Sequence, residues 1–339
     1  MRLKVSIVGA TGNVGREYIE ILYDRKFPIE ELFPLASSKS EGKKLKFGEK
    51  ELIVQDLNKF DFKKCDLVLS SAGAKIASEF APKAAKSGSV VIDNSSYFRM
   101  DPSVPLIIPE VNSQDLKMAK KNIIANPNCS TIQMLVVLKP LHNFAKIKRI
   151  IVSTYQSTSG AGRQPMDELF EQTKNIFANK LVEKKFFTKQ IAFNVIPHID
   201  NFLDHGETKE EWKMRVETQK ILDKSIKVSA TCVRVPVFIG HAESVNIEFE
   251  KEISDNKARE ILKKCPGISV VDFRKDGGYV TPEEAAGEDD VFVSRIRKDN
   301  TIKNGLSLWI VSDNLRKGAA LNTVQIAEEL IKMKLLNKD

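Results

Sequence analysis

The fold of this chain is decided close to its start, where residues 3–15 read LKVSIVGATGNVG. The apolar run Leu3–Val8 predicts a buried strand, and an apolar pattern continuing through Leu22 predicts a helix after the glycines. Strand, glycine turn and helix form the context of a dinucleotide-binding loop, because glycines let the backbone approach a pyrophosphate at the helix N-terminus. The spacing is G-x-x-G-x-x-G and not G-x-G-x-x-G, so a plain structural turn is the alternative.

The end of the second predicted strand indicates which dinucleotide binds. The strand covers Glu31–Ala36 and runs into residues 37–40, SSKS. In an NAD-binding domain a carboxylate near this point accepts hydrogen bonds from the ribose hydroxyls. Here serines and a lysine take its place, and these suit a 2′-phosphate, so NADP is the predicted cofactor. The alternative is a solvated loop in which Lys39 faces water.

Strands and helices continue to alternate through the first part of the chain. Asp66–Ser70 predicts a strand, residues 71–73 a loop, and the following residues a helix ending at Lys86. Ser89–Asp93 and the shorter Leu106–Ile108 predict further strands. Such alternation is typical of a parallel sheet with ligands at the carboxyl ends of the strands. We therefore predict an α/β Rossmann-type dinucleotide-binding domain.

The pattern changes after Leu141. Ile147–Ser153 predicts a strand, Lys209–Leu222 a helix, and Lys227–Glu250 alternates as antiparallel strands with one covered face do. This predicts an α+β catalytic and dimerisation domain with a mostly antiparallel-edged mixed sheet, whose open face could be buried against a second subunit. A final helix is predicted from Leu321 to about Lys334.

Two domains are expected, since 339 residues exceed one ordinary core. The predicted boundaries assign residues 1–127 and 315–339 to the NADP-binding domain and residues 128–314 to the catalytic and dimerisation domain. The final helix would then complete the first domain.

Residues 126–131, NPNCST, carry a candidate nucleophile. They lie between a predicted strand, Ile123–Ala125, and a predicted helix, Ile132–Leu138. Cys129 would sit at or just outside a helix N-terminus, where free N–H groups and the positive dipole end favour the thiolate. The alternative is a buried structural cysteine.

Four further side chains are candidates for binding and proton transfer. Arg234 can grip a carboxylate with two parallel hydrogen bonds, and His241 can exchange protons near neutral pH. Glu210 and Lys213 share one helix face, because residues three apart are neighbours. The alternatives are a structural histidine and an ordinary surface ion pair.

Composition excludes several classes. The net charge of +8 comes largely from lysines interleaved with acidic residues, and no nucleic-acid motif accompanies it, so no nucleic-acid partner is expected. No apolar stretch approaches the ~20 residues that span a bilayer. The four cysteines are scattered, which predicts neither disulfides nor a zinc site and favours a cytoplasmic protein without a metal. A metal site at His198, Asp200, Asp204 and His205 is the weakest candidate.

Five motifs in this order resemble bacterial aspartate-semialdehyde dehydrogenases over nearly the whole chain. They are residues 9–15, residues 126–131, Gln156 with residues 159–162, Glu210-x-x-Lys213, and Arg234–His241. The resemblance implies NADP-dependent reductive dephosphorylation of L-aspartyl-4-phosphate to L-aspartate 4-semialdehyde, a step in lysine, methionine and threonine biosynthesis, with release of inorganic phosphate. It also implies a homodimer or a pair of dimers.

The resemblance implies a role for each matching residue. Cys129 would be the nucleophile that forms a thioester, His241 the acid–base group, and Gln156 the residue that orients the intermediate. Substrate contacts would come from Arg234 at the α-carboxylate, Glu210 at the α-ammonium group and Arg99 at the phosphate, the last assisted by Lys213 and Asn128. The predicted cofactor contacts are Gly9, Thr11, Gly12, Asn13, Val14, Ser37, Lys39, Ser40, Ser71, Ala72, Gly73, Ser159, Gly160 and Asn314.

Three alternatives remain open at this stage. N-acetyl-γ-glutamyl-phosphate reductase shares the fold and the thioester chemistry, but its acetylated substrate offers Glu210 no ammonium partner. A glyceraldehyde-phosphate dehydrogenase has a different cysteine context and cofactor loop. A catalytically silent NADP-binding homologue would have no need of both Cys129 and His241.

Overall fold

The computed structural model describes residues 2–336, so residue 1 and residues 337–339 of the predicted first domain lie outside the described residues. The chain divides into two compact units. Unit 1 comprises the chain up to Asn128 together with the segment from Ala319 onward, and unit 2 comprises Cys129–Gly318.

The observed division differs slightly from the predicted boundaries. Asn128 belongs to unit 1, and residues 315–318 belong to unit 2. The second difference has a local cause, because Asp313 binds the residues that follow it. Its Oδ1 accepts hydrogen bonds from the amides of Leu315 and Arg316, and its carbonyl accepts one from the amide of Gly318.

The strands within the described residues fall into two six-stranded sheets and one hairpin. Those of unit 1 are β1 (Leu3–Val8), β2 (Ile29–Ala36), β3 (Lys44–Phe47), β4 (Lys50–Ile53), β5 (Gln55–Asp56), β6 (Leu67–Ser70), β7 (Val90–Asp93) and β8 (Ile123–Ala125). Those of unit 2 are β9 (Ile147–Gln156), β10 (Lys227–Arg234), β11 (His241–Phe249), β12 (Ile268–Val270), β13 (Val291–Asp299) and β14 (Gly305–Ser312).

The α-helices of the described residues follow in chain order. They are α1 (Asn13–Asp24), α2 (Ala74–Lys86), α3 (Pro109–Asn112), α4 (Cys129–Ala145), α5 (Arg163–Phe177), α6 (Lys209–Ile221), α7 (Asp255–Leu262), α8 (Pro282–Ala285) and α9 (Leu321–Lys332). Helices α4 to α8 lie in unit 2, and the others lie in unit 1. Within residues 2–336 we find no helix with the length and apolar character needed to cross a membrane.

The main sheet of unit 1 is parallel and has the order β5-β2-β1-β6-β7-β8. Strand β6 is buried along its whole length, as expected for a parallel strand covered on both faces. Parallel strands bring their carboxyl ends to one edge of the sheet, so the loops after β1, β2, β6 and β7 meet there. The α/β Rossmann-type prediction for this part of the chain is confirmed.

The C-terminal helix α9 packs into unit 1. Tyr18 of α1 is fully buried, and its hydroxyl lies 3.2 Å from Thr323 Oγ1 of α9. Leu321, Val324 and Ala327 belong to the same core cluster as β1.

The prediction of a strand at residues 106–108 is wrong. Only one bridge, Leu106 to Ala125, forms there, because Pro109 starts a helix.

The sheet of unit 2 is mixed, with the order β10-β9-β11-β14-β13-β12. The mixed α+β architecture is confirmed. The expectation of antiparallel edges is wrong, since the central pairs are antiparallel and both edge strands run parallel to their neighbours. The physical reason is the long connection from β9 to β10, which carries α5 and α6 and returns the chain as a crossover does.

Helix α4 is the central helix of unit 2. It is apolar on most sides and packs on β9, β11, β13 and β14 as well as on α6 and α7. The helix begins at Cys129, three residues before the predicted start, and continues through Pro140 to Ala145. This burial fixes the position of the cysteine within the unit.

Candidate active site

Cys129 is the first residue of α4 and is partly exposed. Amides of the first helical turn have no intrahelical partner, and together with the helix dipole they favour a thiolate at this position. The backbone at Gly318, also in unit 2, lies close to Cys129. A Cβ at Gly318 would lie 2.9 Å from Cys129 Cβ, so only glycine fits there without displacement.

His241 opens β11 and is completely buried. Its Nδ1 lies 3.1 Å from the backbone N of Ser157 and 3.0 Å from Ser157 Oγ. Burial, and then the positive charge of Arg234, lower the pKa of the imidazole to about 3, so the ring is neutral at physiological pH. Its Nε2 has no hydrogen-bond partner among the described residues. A satisfied structural histidine would have both nitrogens paired.

Arg234 ends β10 and points toward the same place as His241. A Cβ at Gly160 would lie 3.0 Å from His241 Nε2 and 3.1 Å from Arg234 Nη1. A side chain at residue 160 would therefore crowd both groups. Arg234 Nη1 also donates to the Ser157 carbonyl at 2.6 Å. Burial lowers the pKa of its guanidinium, while Glu210 and then Cys129 act in the opposite direction, which brings the thiol within its electrostatic range.

Glu210 and Lys213 form a buried pair and not a surface one. Their side chains are 7% and 12% exposed, and Lys213 Nζ lies 3.0 Å from Glu210 Oε2. Asp200 Oδ2 accepts a second hydrogen bond from Lys213 at 2.8 Å. Burial opposes the charge of Lys213, but Glu210 and Asp200 outweigh it and raise the pKa of the ammonium.

Gln156 links this pair to the sheet. Its Nε2 donates to Glu210 Oε1 at 3.1 Å, and its Oε1 accepts from Thr154 Oγ1 at 3.0 Å. Strand β9 therefore holds the amide, and α6 holds the carboxylate. The start of α6 is itself fixed by a capping box of Thr208 and Glu211. The structure thus brings together six of the sequence-predicted residues in unit 2: Gln156, Gly160, Glu210, Lys213, Arg234 and His241.

Asn314 lies beside His241 and is held firmly. Its Oδ1 accepts hydrogen bonds from Ser157 Oγ at 3.0 Å, Ser159 Oγ at 3.1 Å and the amide of Gly240 at 2.9 Å. Sequence reasoning placed Asn314 and Ser159 at the cofactor and missed Ser157 altogether. No local signal singles out Ser157 within its hydroxyl-rich turn, because its significance comes from β11 and residue 314.

The glycine loop of unit 1 has the form that a pyrophosphate requires. Gly9 has φ of +83°, and a Cβ there would lie 2.8 Å from Ser71 Oγ. Ser71 Oγ donates to the Val8 carbonyl at 3.2 Å, so two predicted cofactor loops meet at Gly9. Helix α1 follows with Gly12 at its N-cap and no side-chain cap. A helix N-terminus without a side-chain cap, next to a glycine loop, fits a dinucleotide phosphate.

The other predicted cofactor residues of unit 1 border the same sheet edge. Ser37 and Lys39 are exposed directly after β2, and Ser40 is half-buried. Ala72 and Gly73 precede α2, with Gly73 at its N-cap. Thr11, Asn13 and Val14 lie in the glycine loop and in the first turn of α1.

Arg99 and Asn128 belong to unit 1. Arg99 is 8% exposed and donates from Nε to the Asn126 carbonyl and from Nη2 to the Asn94 carbonyl, both at 2.9 Å. These carbonyls follow β8 and β7, so the guanidinium is fixed at the carboxyl edge of the parallel sheet. Asn128 is also buried.

The candidate metal site at His198, Asp200, Asp204 and His205 is wrong, because these side chains do not form a metal-binding cluster. Asp200 pairs with Lys213, and His205 pairs with Glu207 at 2.7 Å, while His198 stacks on Phe202. Within residues 2–336 no group of three His, Cys, Asp or Glu side chains is arranged to hold a metal ion.

Comparison with known proteins agrees with both units. Residues 4–119 match the family model described as semialdehyde dehydrogenase, NAD binding domain, and residues 138–317 match semialdehyde dehydrogenase, dimerisation domain. The aspartate-semialdehyde dehydrogenase of Aquifex aeolicus is 56% identical over 99% of this chain and 100% of its own length. That of Rickettsia bellii is 50% identical over 98% of each.

Solved structures extend the similarity to the fold. Aspartate semialdehyde dehydrogenase II from Vibrio cholerae, complexed with ASA, superposes with a TM-score of 0.96 at 48% identity, covering 98% of this chain and 99% of that one. The Candida albicans enzyme with NADP gives a TM-score of 0.78 at 27% identity, covering 99% and 100%. Because identity is high over the full length and both domains match, the chain belongs to the aspartate-semialdehyde dehydrogenase family.

Proposed function

We propose that this chain reduces L-aspartyl-4-phosphate to L-aspartate 4-semialdehyde with NADPH, through a thioester on Cys129 and with release of inorganic phosphate. The observation that carries the proposal is the convergence of Arg234 and His241 on the space at Gly160, in the unit whose central helix begins with the cysteine. A carboxylate grip and a proton-bearing ring beside an activated thiol are what acyl transfer requires.

The first step is attack of Cys129 Sγ on the acyl carbon. A carbon–sulfur bond forms, the carbon–oxygen bond to phosphate breaks, and the phosphate leaves with the bonding electron pair. Helix α4 favours the thiolate that this attack needs, because Cys129 is its first residue and lies at the positive end of the helix dipole. Arg99, held at the carboxyl edge of the unit 1 sheet, is the proposed phosphate contact.

The bound cofactor supplies the hydride that reduces the acyl carbon. The residues that would hold it are the glycine loop at Gly9 and the exposed Ser37 and Lys39, whose hydroxyl and ammonium groups suit a 2′-phosphate. His241 is the proposed acid–base group for the carbonyl oxygen, and Gln156 orients that oxygen. Breaking the carbon–sulfur bond then releases the aldehyde and restores the thiolate.

The charges around Glu210 favour an aminated substrate. Glu210 and Asp200 bring two carboxylates to the single ammonium of Lys213, which leaves one net negative charge in the group. An α-ammonium group balances this charge, whereas the acetylated amine of N-acetyl-γ-glutamyl phosphate does not. Arg234 supplies the positive charge for the α-carboxylate of the same substrate.

A homodimer, alone or as a pair of dimers, is part of the proposal. The outer face of the unit 2 sheet carries Ile151 and Tyr155, which are 36% and 37% exposed, and Trp309 in ring contact with Tyr155. The second copy of this chain would cover that face. A cytoplasmic location also belongs to the proposal, since the structure joins none of the four cysteines in a disulfide.

The proposal is tested by phosphate-dependent NADPH formation from L-aspartate 4-semialdehyde, run beside N-acetyl-L-glutamate 5-semialdehyde. Turnover of the first substrate alone, abolished by omitting phosphate, is the expected result. Activity on the second alone would overturn the Glu210 argument while leaving the thioester route intact. If neither substrate reacts and NADP still binds, the chain is a silent homologue.

A thiol-labelling rate separates the silent homologue independently. An activated Cys129 reacts rapidly with a neutral alkylating reagent below pH 7, whereas a structural thiol does not. Cys265 is a suitable internal reference because it is also partly exposed but follows the end of α7 and is not at a helix start.

A further inference from the structure

Residues 183–200 form a segment between α5 and α6 that has no helix or strand of its own, and we call it the strap. Two buried side chains of α5 bind its first part. Glu168 Oε2 accepts hydrogen bonds from two strap amides at 3.2 and 2.6 Å, and Gln172 Oε1 accepts from two more at 2.9 and 3.1 Å. Because breaking these bonds would leave buried polar groups without partners, α5 fixes the path of the strap.

The second part of the strap reaches the residues that surround the substrate. The amide of Ile196 donates to the Arg234 carbonyl at 2.9 Å, and the amide of Arg234 donates back to the Ile196 carbonyl at 2.8 Å. Asp200 ends the strap, and the chain then returns in a short loop to α6, whose first amide, Lys209, donates to the Asn201 carbonyl at 2.8 Å. The strap therefore holds Asp200 beside the start of α6.

Asp200 binds the ammonium group of Lys213, which also binds Glu210. Lys213 Nζ lies 2.8 Å from Asp200 Oδ2 and 3.0 Å from Glu210 Oε2. Burial opposes the charge of Asp200, but its hydrogen bond to Lys213 outweighs burial and lowers its pKa, so the carboxyl group is ionised at neutral pH. Gln156 also contacts Glu210, but its amide is neutral and does not change the charge of the group.

The number of carboxylates decides how much negative charge remains for a ligand. Without Asp200, the positive charge of Lys213 would balance Glu210 alone, and a further ammonium group would gain little from so neutral a pair. With Asp200 present, two carboxylates share one ammonium, and one negative charge remains. The geometry thus gives Asp200 an effect on the ligand that passes through Lys213.

We propose that Asp200 is a specificity-determining residue, because by balancing the charge of Lys213 it leaves the charge of Glu210 to the α-ammonium group of the substrate. This inference rests on the proposed function. The matching probe is succinate semialdehyde, which is L-aspartate 4-semialdehyde without its amino group. It keeps the carboxylate for Arg234 and the aldehyde for Cys129 but brings no cation to Glu210. The site rejects it, and the rejection depends on Asp200.

The test compares kcat/KM for phosphate-dependent NADPH formation from the two aldehydes. Their ratio is the readout, because contributions from phosphate, cofactor and carboxylate are common to both and cancel. Asp200→Asn keeps the shape and a hydrogen-bond acceptor but removes the charge. We expect the preference for L-aspartate 4-semialdehyde to fall roughly 10- to 100-fold, the range for a hydrogen bond to a charged group. Asp204→Asn, the same change at an exposed position, is the matched control and leaves the ratio unchanged.

A merely structural role of Asp200 would slow both aldehydes alike. An unchanged ratio in folded Asp200→Asn therefore overturns the inference while leaving the proposed function intact. If the unmodified chain does not turn over L-aspartate 4-semialdehyde at all, the proposed function fails and the inference falls with it.

A double variant separates charge from shape. Adding Lys213→Met to Asp200→Asn removes the cation that balances Glu210, so one negative charge is again left for the substrate. We expect the ratio to recover most of its loss, even where the rates with both aldehydes are lower. A ratio that stays low in the folded double variant would mean that the shape of the strap, and not the charge of Asp200, determines the preference, which contradicts the inference.

Discussion

The two units differ in the groups that they offer to a ligand. In unit 1 the glycine loop offers backbone at the edge of a parallel sheet, with Ser37 and Lys39 exposed beside it. In unit 2 the partly exposed Cys129 is accompanied by buried side chains that hydrogen bonds hold in place, as His241 Nδ1 and Glu210 illustrate. A dinucleotide needs access to amides and dipoles, whereas acyl chemistry needs side chains whose charge and orientation are set before the substrate arrives.

The largest expected effect tests the reactive side. Cys129→Ala removes the nucleophile, and we expect kcat in the phosphate-dependent assay to fall on the order of 10⁴-fold or more. NADPH binding by unit 1, followed by fluorescence, should be unchanged. Cys265→Ala is the matched control and should keep full activity. Retention of a tenth of the original rate in Cys129→Ala would refute the thioester route.

Arg234→Lys tests whether geometry or charge alone matters in unit 2. Lysine keeps the positive charge but loses the two-pronged grip and the hydrogen bond to the Ser157 carbonyl. We expect kcat/KM for L-aspartate 4-semialdehyde to fall roughly 10- to 100-fold, the range for a charged hydrogen bond. Arg274→Lys changes an exposed arginine and controls for the substitution itself. Unchanged kinetics would mean that Arg234 is not the carboxylate contact.

Gly9→Ala tests the backbone side of the comparison. Alanine would have to tolerate φ of +83° and place its Cβ 2.8 Å from Ser71 Oγ, at the point where the phosphate is expected. Gly42→Ala is a close control, because Gly42 has φ of +82° but open space around it. Both variants should lose roughly 1 kcal/mol or more of stability from backbone strain.

Only Gly9→Ala should also weaken NADPH binding, by about 10-fold or more in a fluorescence titration, because its methyl group fills the cradle. Equal binding by the two alanine variants would show that residue 9 does not approach the cofactor.

The smallest effect concerns a buried carboxyl group that lies outside the proposed chemistry. Glu243 faces the interior two residues after His241 and is fully buried, and this burial raises its pKa well above the ordinary value. Its stabilising effect is complete below the unfolded pKa of about 4.3. As the pH rises further, the unfolded chain ionises while the folded one stays protonated, so stability falls.

Glu243→Gln removes this titration and keeps the shape. We expect its Tm relative to the unmodified chain to be higher at pH 8 than at pH 5 by roughly 2–4 °C or more, the shift that 1 kcal/mol produces in a domain of this size. Glu49→Gln, at an exposed position, should show no such difference. A pH-independent Tm difference in Glu243→Gln would mean that Glu243 is ionised in the folded state.

The sequence alone determined the family, the parallel sheet of unit 1, the glycine loop and the cysteine at a helix start. These features depend on residues close together in the chain, where spacing and turn chemistry are sufficient. It also identified Arg234, His241 and the pair Glu210 and Lys213, but only the resemblance between motifs gave them roles.

Only the tertiary structure decided the hydrogen-bond partners and the surroundings of these residues. The pairing of Lys213 with Asp200, the contact of Ser157 with His241, and the three hydrogen bonds to Asn314 join positions 13 to 157 residues apart. The parallel edges of the unit 2 sheet arise in the same way, from strands that meet after long connections. Local sequence patterns predict helices and strands, whereas the charge of a buried group depends on the side chains and backbone that the fold packs against it.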